Sequence, residues 1–236
     1  MAATEAAIPP RTSVAHRLST PRAAALAGVL FSVLFAAILL LIRVPMPQDA
    51  AAAAGWLAGH RSGITTATVL MPFAGISFLW FLAVVRDGLG RLEDRFYSTV
   101  FLGSGLLFLA MMFVATAVAA GLVGGSIDGV ESGTHSAVAE FVTTLIHTAS
   151  RTYALRMAAV FMISLATIWL RTALMPRWLA VLSYLTALAL LTVGDQSMWA
   201  TMAFPVWVLV VSTLILLRTH HVGPSRLPGR AGDVRD

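Results

Sequence analysis

The stretch from Phe78 to Leu107 limits the fold more than any other. It reads FLWFLAVV, then RDGLGRLEDRFY, then STVFLGSGLL. Two apolar runs flank a short segment carrying Arg86, Asp87, Arg91, Glu93, Asp94 and Arg95. Backbone polar groups in lipid must be satisfied within their own segment, so each apolar run is expected to be a helix. The charged loop between them stays in water and fixes which side of a membrane is which.

The rest of the chain fits that frame. It has 236 residues, 58% hydrophobic and 11% charged, with mean hydropathy +0.84. A soluble domain carries about 25% charged residues. Several apolar runs approach the ~20 residues that cross a bilayer as a helix. The expected fold class is all-α: a polytopic membrane bundle of six transmembrane helices, with an amphipathic interfacial helix before the fourth. The helices are expected at about 23–42, 63–85, 98–123, 152–171, 178–193 and 198–217. Residues 1–22 read as a polar cytoplasmic segment, 23–217 as the transmembrane domain, and 218–236 as a disordered cytoplasmic tail. The first run is longer than the apolar part of a signal peptide, so it is read as retained.

The chain has 16 basic residues, all arginine, against 11 acidic ones. A strongly basic soluble protein suggests nucleic acid. Here the arginines sit at helix ends, where they orient helices instead. With the N-terminus inside, twelve of the 16 fall on the cytoplasmic side. The outer side keeps Arg43, Arg61, Arg151 and Arg156. That asymmetry predicts N- and C-termini on the cytoplasmic side of the membrane. There is no cysteine, so disulfides, thiolate nucleophiles and Cys metal ligands are excluded.

Local signals refine the outline. Pro45 and Pro47 end the first helix. Asp49 is expected to cap a short helix through AAAAAGWLAGH, ahead of the second transmembrane helix. Pro72, with Gly75 three residues on, predicts a kink. Gly121 and Gly125 have the small-xxx-small spacing that lets membrane helices approach closely.

Residues 136–151 are the clearest amphipathic segment. Val138, Phe141, Val142, Leu145, Ile146 and Ala149 form one stripe; Ser136, Glu140, Thr143, Thr144, His147, Ser150 and Arg151 form the other. Such a segment lies at the interface or lines a polar cleft. The 14 residues between Arg156 and Arg171 span roughly 21 Å of helix, less than a ~30 Å hydrocarbon core. One or both arginines must therefore snorkel or find a partner. Asp195 and Glu140 are the expected carboxylates for Arg156, the latter if the chain bends around Ser150.

At RDGLGRLEDRF, FLGSGLLF and LRTALMPRWLAVLSY the chain resembles a family of small, uncharacterised multi-pass integral membrane proteins of high-GC actinobacteria. The resemblance implies a helical bundle and carries no functional residues with it.

Glu140 and His147 share a helix face, but zinc needs a third ligand and the HExxH spacing is missing. No metal and no cofactor are expected. No GxSxG elbow orders the serines, and a phosphate loop without lysine is excluded. Two functional classes remain, ahead of a membrane-embedded enzyme. The first binds or moves a small or lipid-like molecule through an outer polar cleft holding Glu140, His147, Arg151, Arg156 and Asp195. The second is a non-catalytic scaffold or interaction subunit that uses the 86–97 loop, whose mixed charges also suit pairing within the loop. The expected partners are the lipid bilayer, a small-molecule or lipid ligand, and a second copy of the chain.

Overall fold

The computed structural model describes residues 20–42, 50–89, 95–124, 132–172, 175–193 and 198–221. All regular structure among them is helical: α1 (Thr20–Leu41), α2 (Ala50–Leu89), α3 (Arg95–Gly124), α4 (Ser132–His147), a π-helical stretch (Thr148–Ala154), α5 (Leu155–Thr172), α6 (Arg177–Val193) and α7 (Met198–His221). Four segments are long and apolar enough to cross a membrane: Gly59–Asp87, Phe96–Gly121, Glu140–Thr172 and Ala200–Leu217. Two shorter apolar segments, Ala25–Leu41 and Arg177–Thr192, complete the set among the described residues. The chain is therefore a helical bundle suited to a membrane.

The exterior has the same character. Leu26, Leu30, Val33 and Leu40 form an exposed stripe on α1, and Val69, Phe73, Ile76 and Trp80 form one on α2. Water-soluble monomers rarely leave apolar surface this continuous. Many hydroxyls inside the helices are satisfied locally. Ser32, Ser77, Ser164 and Thr213 each donate to the carbonyl four residues back, at 2.7–2.8 Å.

The centre of the bundle is aromatic. Phe31 of α1, Phe78 of α2, Phe108 of α3, Phe161 of α5 and Phe204 of α7 are all fully or almost fully buried. Phe78 sits in the middle, with ring centroids 4.6 Å from Phe31, 5.5 Å from Phe108, 5.6 Å from Phe161 and 6.0 Å from Phe204. Edge-to-face and tilted pairs of this kind add about 0.5–1.5 kcal/mol each beyond area burial. Five helices thus share one aromatic layer. Lipid tails are as apolar as Leu, so such interdigitation replaces the hydrophobic drive between membrane helices.

Close approach depends on glycine at several places, Gly28 and Gly105 among them. A Cβ on Gly28 would overlap Ser212 Oγ of α7 and press on the Phe81 ring. One on Gly105 would crowd Leu82 and Phe161 at 3.0–3.3 Å. Gly121 is instead exposed, with open space around it, so its spacing does not serve packing within the chain; Gly125 lies outside the described residues.

Polar links tie α6 and the start of α3 to the bundle. Trp207 Nε1 of α7 donates to Ser183 Oγ of α6 at 2.8 Å. Thr167 of α5 and Tyr184 of α6 share a 2.6 Å hydrogen bond. The Arg171 guanidinium lies 4.5 Å from the centre of the Tyr97 ring, joining the end of α5 to the start of α3.

Three expectations change. The short helix after Asp49 is not separate: α2 runs unbroken from Ala50 to Leu89, through Pro72. Its start is alanine-rich and has no proline before Pro72, so propagation continues. The amphipathic segment is not a separate helix either. It continues into α5 through the π stretch, so α4, that stretch and α5 form one helical rod. Finally, α7 extends to His221, past the expected end at 217. Pro45, Pro47 and Asp49 lie outside the described residues, as do 1–19 and 222–236.

Candidate functional site at one end of the bundle

One end of the bundle brings together the last turns of α1 and α3, the π stretch and the first turns of α7. A cavity of about 110 Å³ opens there. Its apolar wall includes Ile38 and Leu39 of α1, Met112 and Ala119 of α3, Ile146, and Met202 of α7. Its polar wall is Thr116, His147, Ser150, Arg151 and Thr201. Below it, one turn along α1 and α3, lie Phe35 and Phe108, whose rings pack 5.5 Å apart. The aromatic layer is therefore the floor.

The π stretch shapes the polar wall. π turns widen a helix and recur at functional sites. This one starts immediately after His147 and includes Ser150 and Arg151. With more than four residues per turn, it keeps His147 and Arg151 on the cavity side. The hydroxyls beside them are already spent as donors. Ser150 Oγ donates to the Ile146 carbonyl at 2.6 Å, and Thr116 Oγ1 donates to the Met112 carbonyl at 2.9 Å. Each retains lone pairs that can accept. The guanidinium of Arg151 and the imidazole of His147 are thus the chief donors facing the space. Among the described residues, no carboxylate forms an ion pair with Arg151.

The expected site residues separate into three groups. His147 and Arg151 share the cavity. Glu140 is exposed and does not line it. Arg156 is half-buried below the π stretch, and its Nη1 donates to the Thr152 carbonyl at 2.9 Å. That contact points the guanidinium back toward the N-terminal end of its helix, as a snorkelling arginine does. Glu140 and Arg156 are sixteen positions apart on one helical rod, about 24 Å by rise. The chain does not fold back at Ser150, so the two do not pair. Asp195 lies outside the described residues.

In the 86–97 loop, Arg86 and Asp87 are exposed at the end of α2, and Arg95 opens α3. Arg91, Glu93 and Asp94 lie outside the described residues. No cluster of three metal-ligating side chains occurs among the described residues.

Sequence reading missed Thr116, Thr201, Met112 and Met202. Each sits inside a long apolar run, where one isolated residue gives no periodic signal. The contribution of α1 and α7 to the cavity was likewise illegible. No protein-family model, curated protein or solved structure matches this chain.

Proposed function

We propose that this is a six-span plasma-membrane protein, with both termini cytoplasmic, that binds or moves a small or lipid-like molecule in a cavity at its outer end. The observation that carries the reading is the 110 Å³ space lined by His147 and Arg151 among apolar side chains. Ligand sites commonly combine an apolar lining with a few placed polar groups. An arginine held at membrane depth is a functional candidate in its own right. The arginine distribution supplies the orientation. Under that orientation α1 and α3 end outside, the π stretch starts outside, and α7 begins outside. All four cavity elements then lie on the same side. The amphipathic α4 leads into this end as the outward continuation of the α5 rod.

Native mass spectrometry of gently extracted protein tests the reading. Wild type is expected to carry a bound species of discrete mass. Ala119→Phe, which fills the cavity from α3, is expected to lose it at similar melting temperature. The same mass profile for both proteins would overturn the proposal.

A further inference from the structure

The cavity is asymmetric in a way that names a ligand class. One side presents a permanent cation, Arg151, with the His147 imidazole one turn away. Ser150 and Thr116 have their protons committed to helix carbonyls. An incoming cation or neutral donor would face the guanidinium, whereas an anion gains charge-assisted donors. The opposite side is alkyl and thioether: Ile38, Leu39, Met112, Ala115 and Met202.

The position of the opening adds a second observation. Leu40 lines the cavity and is 53% exposed. It continues the stripe of Leu26, Leu30 and Val33 on the outside of α1. In a bilayer that stripe faces acyl chains, so the cavity communicates sideways with lipid. The helix contacts leave room for this route. α1 packs mainly on α2 and α7, while the π stretch packs on α3. The cavity lies in the seam between those two groups.

Size sets the last limit. An apolar cavity of about 150 Å³ holds one benzene ring. A space of 110 Å³ therefore encloses one compact headgroup or part of one chain at a time, and any further chain stays outside it in the lipid.

Building on the ligand-binding reading above, we infer that the ligand is a single-chain anionic amphiphile entering from the bilayer. Its carboxylate or phosphate rests on Arg151 and His147, and the adjoining alkyl segment lies against Ile38, Met112 and Met202. Arg151 discriminates the headgroup, while the α1–α7 wall holds the chain.

Binding of oleate, oleyl alcohol and acetate to the full-length protein in a non-ionic detergent, read by thermal shift, tests this. Wild type is expected to bind oleate roughly tenfold or more tightly than oleyl alcohol, the range of a charge-assisted contact. Arg151→Gln should erase that preference and leave alcohol binding intact; Arg151→Lys should keep most of it. Acetate should not compete. Equal binding of oleate and oleyl alcohol, both blocked by Ala119→Phe, would overturn the anionic assignment and leave the cavity reading standing. Competition by acetate at oleate's own concentrations would make this a small-anion site and overturn the amphiphile. Binding of all probes unaffected by Ala119→Phe would overturn both readings. If that variant does not fold, Thr201→Leu narrows the same space from α7 and serves in its place.

Discussion

Trp207 on α7 and Ser183 on α6 are joined by a 2.8 Å hydrogen bond inside the bundle, with both residues buried. The serine passes its own proton to the Leu179 carbonyl at 2.7 Å, so its oxygen is free to accept the indole N–H. The Trp207 ring also lies 6.0 Å from both Phe161 and Trp169. One side chain thereby links α6, a short apolar helix, to the aromatic centre.

Ser183→Ala should leave that indole N–H buried without a partner. The expected loss is about 1 kcal/mol, within the range of membrane hydrogen bonds and unsatisfied donors. Melting in detergent should show it, and Trp207→Phe should relieve most of the added penalty. No change in Ser183→Ala would mean that the link contributes nothing.

Gly28 and Ser212 form a second testable contact. Ser212 Oγ is buried without a hydrogen-bond partner, and a Cβ on Gly28 would overlap it. Ser212→Ala removes an unsatisfied hydroxyl and should hold or raise stability. Gly28→Ala should destabilise by roughly 1–3 kcal/mol through overpacking. The double mutant should recover part of that loss, because the clash involves the deleted oxygen. Strict additivity would show that Phe81 alone resists the new methyl group.

Glu140 and Arg156 should behave independently. Four turns of helix separate them, beyond the reach of either side chain. The losses from Glu140→Ala and Arg156→Ala should add within about 0.5 kcal/mol. A coupling well above that would require the rod to bend in the membrane.

Topology reporters test the proposed orientation. Fusions after residues 90, 130, 174, 196 and 230 should read in, out, in, out, in. An outside signal at 90 or 174 would place the cavity on the cytoplasmic side.

Much of this protein was determined by local sequence. All six apolar runs are helical, because in apolar surroundings a single segment can pair its own backbone within itself only as a helix. Ends moved by a few residues where alanine-rich or polar segments carried no breaker, as at Ala50 and His221. The amphipathic stripe through His147 and Arg151 was legible because helical periodicity is a property of neighbours in the chain. Tertiary structure alone decided what that stripe faces. The π stretch turns His147 and Arg151 toward a cavity, while Glu140, on the same stripe, remains exposed. Five phenylalanines scattered over five helices meet at Phe78, a convergence that no spacing along the chain encodes. Thr116 and Thr201 enter the cavity from helices whose sequences read as uniform apolar spans. Hydropathy depends on composition within one helix, whereas a cavity depends on which faces of four helices meet, and that is set by packing between segments far apart in sequence.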